Sequence, residues 1–468
     1  MSEPADLCII GAGSGGLSLA AGAAQLGART VLIERGKMGG DCLNVGCVPS
    51  KALLAAAKHA QAAREGALFG LRIAAPEIDF PAVMRHVRGV IAAIAPHDSQ
   101  ERFEQLGVRV IRAEARFAGP DEVVAGGISI RARRIAIATG SAPSLPAIPG
   151  LAELPHFTNE TIFDNDVLPR HLLVIGGGPV GLELAQAFRW LGSEVTVLEA
   201  ARALGKDDPE LAARLLAHLR RSGVVIREGA AIASVARAGE GVVAALADGT
   251  RLEGSHLLVA AGRRAKLDLD LAKAGIATDR GHLVLDRRLR TSNKRIYALG
   301  DAAGGPQFTH VANYHAGIVI RNALFRLPAK VDYRALPWVT YTEPELAQVG
   351  LSEAAARERY GAVTVLRWPL GDNDRAQAEH LAEGMVKVVA WRNGRILGAT
   401  ILAAQAGELI QPWCLAISGG LRLGTLAQMI APYPTLGEAS KRAAGAFYTP
   451  RLFGATSRLL VRLLARFG

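Results

Sequence analysis

Residues 39–51, GGDCLNVGCVPSK, hold two of the chain's four cysteines, Cys42 and Cys47, five positions apart. Such a pair can bind a metal, staple a loop, or open and close as a redox couple. Zinc asks for about four ligands. The nearest histidine is His59 and no second Cys or His cluster stands at finger spacing, so no metal site is expected. A disulfide across so short a loop constrains little chain entropy and stabilises little. Four cysteines in 468 residues do not make a secreted disulfide framework either. The following segment, VPSKALLAAAKHAQAAREG, reads as a helix with Pro49 and Ser50 near its start. Cys47 therefore falls close to a helix N-terminus, where partial positive charge favours a thiolate. Thiolate character is what thiol exchange and electron transfer need, so the pair reads as redox-active.

The pair follows a complete strand-helix-strand unit by eight residues. Residues 7–34 run from an apolar strand through glycines at 11, 13 and 16, an Ala/Leu helix and a second strand closed by Glu34. Residues 172–199 repeat the pattern with Gly176, Gly178, Gly181 and Glu199, each landmark offset by 165 positions. The first glycine makes the tight turn, the second admits a pyrophosphate to the backbone, and the third lets helix pack on strand. Amides at the helix N-terminus bind the phosphates, and the strand-end carboxylate accepts the ribose hydroxyls. Two such units imply two dinucleotides, ordinarily a resident flavin and a nicotinamide that comes and goes. The cysteines, so close to Glu34, are then within reach of the first cofactor's rings.

Each unit has a later apolar strand ending in small residues, RRIAIATGSAP at 133–143 and HLLVAAGRRA at 256–265. These complete the two sheets. A further strand and turn, RIYALGDAAG at 295–304, sets Asp301 at a strand's C-terminal end, where ligands of open α/β sheets gather. The Pro-rich segment 141–150 marks a boundary. Beyond residue 336, β-branched runs and then two helices suggest a separate α+β domain. The fold class expected is α/β, with two Rossmann-like dinucleotide domains and a C-terminal α+β domain. The limits are 1–148 and 266–336 for the two parts of the first domain, 149–265 for the second, and 337–468 for the last.

Composition supports a multidomain globular chain: 50% apolar residues, 52 glycines and only 5% aromatics. The net charge of +11 would attract anions, yet the arginines are scattered and no nucleic-acid motif accompanies them, so no nucleic-acid partner is expected. The N-terminal segment lacks the basic region of a secretory signal, which makes the cytoplasm the expected compartment.

Taken together, these motifs resemble the pyridine nucleotide-disulfide oxidoreductases, whose members include dihydrolipoamide dehydrogenase, glutathione reductase and mercuric reductase. GGDCLNVGCVPSK is similar to the family's active-site signature, ATG and ALGD to its further FAD segments, and TLGEASKRAAG to its interface helix. The resemblance implies FAD on Gly11, Gly13, Gly16, Glu34, Arg35, Gly40, Asp41, Lys51, Ala115, Thr139, Gly140, Ser141, Gly300, Asp301 and Thr309. It implies NAD(P)H on Gly176, Gly178, Gly181, Glu199 and Gly262. Cys42 would be the thiol that meets substrate, Cys47 the one against the flavin, and Lys51 and Glu183 a pair beside it. A homodimer is implied too, each site completed by the partner's C-terminal domain.

One departure bears on the acceptor. Thiol-oxidising members carry a His-Pro whose imidazole works with a following Glu; here Tyr433 precedes Pro434, and Glu438 remains. A phenol titrates near ~10 against ~6.5 for imidazole, so Tyr433 is a poor base at neutral pH. It is either an interface aromatic or a substrate-facing hydrogen-bond donor. Tyrosine there is similar to the mercuric-reductase branch, but no cysteine follows Cys414, so delivery of a soft metal ion to Cys42 and Cys47 should be weak. Cys8, Cys414, His310 and His315 read as structural.

Glu199 would repel a 2′-phosphate, which favours NADH, although Arg202 leaves NADPH as the alternative. Arg458, Arg462 and Arg466 recur every four residues among leucines, so the tail reads as a basic amphipathic helix, suited to a membrane surface or to packing on its own dimer. The expected activity is NADH-dependent reduction, through FAD and the Cys42–Cys47 pair, of a disulfide, a soft metal ion such as Hg(II), or a quinone. Two other readings are NAD-linked oxidation of a dithiol such as dihydrolipoamide, and a catalytically weak flavoprotein adaptor at a membrane.

Overall fold

The computed structural model describes residues 5–467. The first four residues of the N-terminal segment examined for a signal, and Gly468, lie outside these. The first sheet runs in the order Arg109–Ile111, Thr30–Ile33, Ala5–Ile10, Ile128–Ile137, Glu122–Ala125, Ala115–Gly119, and Ile296–Ala298 also pairs with Ile128–Ile137. Its central strands pair in parallel. Thr30–Ile33 is buried along its whole length rather than alternately, as expected of a parallel strand covered on both faces. The helices Ser14–Gln25 and Thr309–Ala323 cover one face, and Leu17, Leu19, Ile318 and Val319 join its core. Strand 296–298 thus returns the chain to the first sheet after the whole of the second has been built.

The second sheet repeats the design with four parallel strands in the order Val225–Glu228, Glu194–Glu199, His171–Ile175, His256–Val259. Three antiparallel strands, Ile232–Ala238, Gly241–Leu246 and Arg251–Gly254, flank it. A short antiparallel pair, Ser141–Pro143 with Arg263–Ala265, links the ends of the two sheets.

Helix Cys47–Glu65, which opens at the second cysteine of the signature, packs against Pro179–Leu191, the helix of the second unit. Leu53, Leu54 and Ala57 share one core with Leu184, Ala185 and Phe188. That packing sets side chains of the cysteine helix opposite side chains of the second nucleotide unit.

The C-terminal unit is a five-stranded antiparallel sheet in the order Pro337–Thr340, Glu345–Gly350, Ile396–Ala403, Met385–Trp391, Val363–Pro369. Helices Gln411–Ser418, Leu423–Gln428 and Glu438–Gly445 pack on it around Trp413. One strand carries a buried charge: Lys387, 3% exposed, is paired with Asp208 at 2.8 Å and with Glu210 and Glu353 at 3.1 Å. This ion cluster fastens the C-terminal sheet to the second nucleotide domain.

Candidate active site

Both nucleotide turns are built alike. Gly176 holds φ +112°, and a β-carbon there would meet the Ala260 carbonyl oxygen at 2.5 Å; one at Gly181 would meet the Gly176 oxygen. Gly11 and Gly16 stand in the same relations to Ala138 and Gly11. The middle glycines differ. Around Gly178 nothing lies within 4 Å of a β-carbon, and around Gly13 the nearest atom is Gly40 Cα at 4.0 Å. The space beside each helix start is therefore clear where a pyrophosphate would approach. Neither helix, Ser14–Gln25 or Pro179–Leu191, has a side-chain cap or an acid in its first turn, so the leading amides are left for an anion.

The strand-end carboxylates are held alike too. Glu34 accepts from Ala12 N and Gly36 N, both at 2.6 Å. Glu199 accepts from Gly177 N at 2.8 Å and Ala201 N at 2.9 Å. Each acid is fixed by one amide of the glycine turn and one beyond the strand. Glu34 lines a cleft with Gly11, Arg35, Ala115, Thr139 and Lys266. The open turn, the uncapped helix and this cleft fit an adenine dinucleotide.

At the other end of the first domain, Arg263 gathers residues distant in sequence. Its guanidinium binds the Asp41 carboxylate, donates to Ser141 Oγ at 2.7 Å and to Asn159 Oδ1 at 3.0 Å, and lies 3.9 Å from Asp301. Ser141 Oγ in turn donates to Asp301 Oδ2 at 2.5 Å. Burial pushes the Asp41 carboxyl up from its ordinary value, while the Arg263 charge opposes that rise. Asp41, Ser141 and Asp301 were expected to hold FAD; Arg263, which joins them, was not foreseen. Its only sequence signal is its place directly after Gly262. Gly300 N donates to His315 Nδ1 at 3.1 Å, and His315 Nε2 lies 2.6 Å from the Tyr333 hydroxyl. Burial drives the His315 imidazole down to about 4, so it is neutral and braces the Asp301 turn.

Cys42 ends up on the short helix Gly40–Asn44 and Cys47 is the first residue of Cys47–Glu65; both are free thiols. Each is the largest influence on the other's titration, and Cys47 Sγ is 3.5 Å from Thr309 Oγ1 at the start of helix Thr309–Ala323. The hydrogen bond from Cys42 lowers the Cys47 thiol to about 6 against the opposing effect of burial, with Thr309 and the Lys51 charge adding to the fall. Cys42 moves up, first because its proton is shared with Cys47 and then through burial. The two thiols are thus driven apart, Cys47 toward the thiolate and Cys42 toward the protonated form.

Lys51, one turn along the same helix, pairs with Glu183 Oε2 at 2.7 Å across the helix packing. Burial works against the Lys51 charge, but Glu183, with smaller contributions from Cys47 and Tyr341, offsets it and the ammonium is held above its ordinary value. Tyr341, which was not foreseen, locks the pair: its amide donates to Glu183 Oε1 at 2.9 Å and its ring lies 4.4 Å from Lys51 Nζ. The ammonium is therefore fixed near Cys47.

Tyr433 and Glu438 stand elsewhere in the chain, on the C-terminal unit. Tyr433 is 68% exposed and donates to Asp374 Oδ2 at 2.6 Å. That bond keeps the phenol above its ordinary range, so it is a still poorer base. Glu438 is paired with Arg442 at 2.8 Å rather than with the phenol. Cys8 is buried in the first sheet and pushed up to about 12, and Cys414 packs against the C-terminal core and is pushed up to about 11. Both are inert thiols.

Residues 5–316 match the family described as pyridine nucleotide-disulphide oxidoreductase, and residues 336–444 match that family's dimerisation domain. A mercuric reductase of Streptomyces lividans is 39% identical over 454 residues, spanning 94% of this chain and 96% of the relative. A dihydrolipoyl dehydrogenase of Chlamydia muridarum is 34% identical over 451 residues, spanning 94% and 96%. Among solved structures, the Cu(II) complex of the HOCl-induced flavoprotein disulfide reductase RclA from Escherichia coli superposes with a TM-score of 0.87 at 28% identity, covering 95% of this chain and 100% of that one.

Proposed function

Because the chain belongs to the pyridine nucleotide-disulphide oxidoreductase family, and so is an FAD-dependent oxidoreductase built from two nucleotide domains and a dimerisation domain, we propose that it uses NADH to reduce a small thiophilic acceptor at Cys42. The observation that carries this is the pair of free thiols itself, Cys42 on the short helix before and Cys47 at the start of helix Cys47–Glu65 beside Thr309, with Cys47 drawn toward the thiolate. When bound, FAD would supply two-electron transfer between a nicotinamide hydride and the thiol pair.

The rest is work for side chains. With the pair closed as a disulfide, two electrons break the S–S bond, leaving the Cys47 thiolate and, with one proton, the Cys42 thiol. Lys51, anchored by Glu183 and Tyr341, stabilises the Cys47 charge. With a disulfide as acceptor, Cys42 gives up its proton and attacks one of the acceptor's sulfurs; the acceptor's S–S bond breaks and a first thiolate leaves. Cys47 then attacks Cys42 Sγ, the mixed disulfide breaks, the second thiolate leaves and the Cys42–Cys47 disulfide re-forms. The thiolate at Cys47 serves the second step, and the first requires loss of the Cys42 proton. Asp41, Ser141, Asp301 and Arg263 would orient the flavin, and Glu34 its adenosine end.

Glu199, pinned in place by two amides, supports NADH over NADPH, since a 2′-phosphate would sit against a carboxylate that cannot swing away. The acceptor class drawn from the relatives' names is a disulfide or a soft metal ion. Steady-state oxidation of NADH should be compared with lipoamide, oxidised glutathione, Hg(II) and a quinone, in the parent and in Cys42→Ser. A thiol-borne route loses its activity with the first three in the variant; an unchanged rate with all of them would show that acceptors draw electrons without the thiols.

We also propose a homodimer in which Tyr433 of one protomer faces the thiols of the other. Tyr433→His would then supply a base near neutral pH and raise turnover with dihydrolipoamide by roughly 10²-fold or more. No gain in kcat/KM would place Tyr433 outside the site. The compartment proposed is the cytoplasm, with peripheral contact at a membrane; among the described residues no helix is long and apolar enough to cross one.

A further inference from the structure

We infer that helix Ala455–Leu464, with the residues around it, is an anchor that lays this enzyme on an anionic lipid surface. The helix has no buried residue. Leu459, Leu460, Val461 and Leu464 are each more than half exposed, as are Leu452 and Phe453 just before it and Phe467 just after. At 100° per residue, Leu459, Leu460, Leu463 and Leu464 share one arc of the helix and Arg458 and Arg462 lie outside it, with Arg466 and Phe467 following just after the last helical residue. None of these arginines has an ion-pair partner among the described residues, and no Asp or Glu follows Glu438 in the sequence.

Two features select lipid over a second copy of the chain as the occupant. The match to the dimerisation domain ends at residue 444, before this helix begins. The charge is also one-sided: besides Arg442, which Glu438 holds, five cations, Lys441, Arg451, Arg458, Arg462 and Arg466, follow the last acid, a pattern complementary to anionic headgroups. An apolar side flanked by arginines whose stems can reach along it is the form of a helix lying in an interface, its leucines and phenylalanine in the acyl boundary and its guanidinium groups on phosphates.

The inference is independent of the acceptor, and its test does not read activity alone. Purified, flavin-loaded, full-length protein would be sedimented with vesicles of phosphatidylcholine alone and with vesicles containing phosphatidylglycerol. It should bind the second far better than the first, and added salt should weaken the binding. Each arginine near such a surface is worth roughly fivefold in partitioning, so Arg458→Gln, Arg462→Gln and Arg466→Gln together should reduce it by about 10²-fold. Leu460→Gln with Leu464→Gln should abolish it. Both variants should keep the parent's NADH oxidation and its sedimentation as a dimer. Equal recovery of parent and variants, or no preference for the anionic vesicles, would overturn the inference. So would a shift of either variant to a smaller oligomer, which would give the helix to a second copy of the chain.

Discussion

Cys42→Ser should leave a yellow, folded enzyme that oxidises NADH with its flavin but turns over thiophilic acceptors at least about 10³-fold more slowly, equivalent to ~4 kcal/mol of lost transition-state stabilisation. The reasoning is local. Cys42 is the protonated member of the pair and the one whose sulfur would bond to the acceptor; a hydroxyl cannot form or exchange a disulfide. The serine does preserve a hydrogen-bond donor toward Cys47, so that thiolate should survive. Cys42→Ala removes the donor, which is the largest influence lowering Cys47, and should move the Cys47 titration upward. In the parent dithiol form, the folded value near 6 lies below the ordinary thiol value. Thiolate is therefore populated above about pH 6 and lost as pH falls through it. Thiolate absorbance followed against pH in the three proteins checks the order. A common midpoint in all of them would mean that Cys42 does not tune its neighbour.

Gly181→Ala should separate the two nucleotides. A β-carbon at 181 meets the Gly176 carbonyl oxygen, and both partners are backbone, so the helix start must move away from its strand. The amides that would receive the coenzyme pyrophosphate move with it. A misplacement on the order of an ångström costs about 10²-fold in a positioned reaction, and kcat/KM for NADH should fall by at least that. The first domain has its own turn at Gly11 and Gly16, so flavin content should stay at the parent's level. Gly16→Ala should give the reverse pattern, a protein depleted of flavin. If Gly181→Ala bleached the protein while sparing its reaction with NADH, the assignment of the two turns would be wrong.

What the sequence disclosed and what it hid follow from distance along the chain. The two glycine turns, Glu34 and Glu199, and the helix opening at Cys47 are signatures written within about thirty residues, because turn chemistry and strand burial act locally. The strands framing the glycine turns, the later strands near 133–137, 256–259 and 296–298, and those of the C-terminal unit were readable as apolar runs for the same reason, whereas Arg109–Ile111, Ala115–Gly119, Glu122–Ala125 and Val225–Glu228 were not read. Arg263 was not. Only the pairing of Arg263–Ala265 with Ser141–Pro143 carries it from the second sheet to Asp41, 222 positions away. Tyr341 reaches Glu183 across 158 positions, and Lys387 reaches Asp208 across 179, in a strand that reads as an ordinary apolar run. The surroundings of Tyr433 and Glu438 were hidden for another reason. Each has a nearer partner, Asp374 for the phenol and Arg442 for the carboxylate, and side-chain pairing on a surface leaves no periodic trace.

The account rests on electrons leaving the flavin through Cys47. Anaerobic titration of the purified holoenzyme with NADH tests this most directly. One equivalent should open the disulfide and raise a broad long-wavelength absorbance from the Cys47 thiolate against oxidised flavin, with the flavin band itself largely retained; Cys47→Ser should show none of it. Direct bleaching of the flavin by the first equivalent, with no such band in the parent at pH above about 6, would contradict the account.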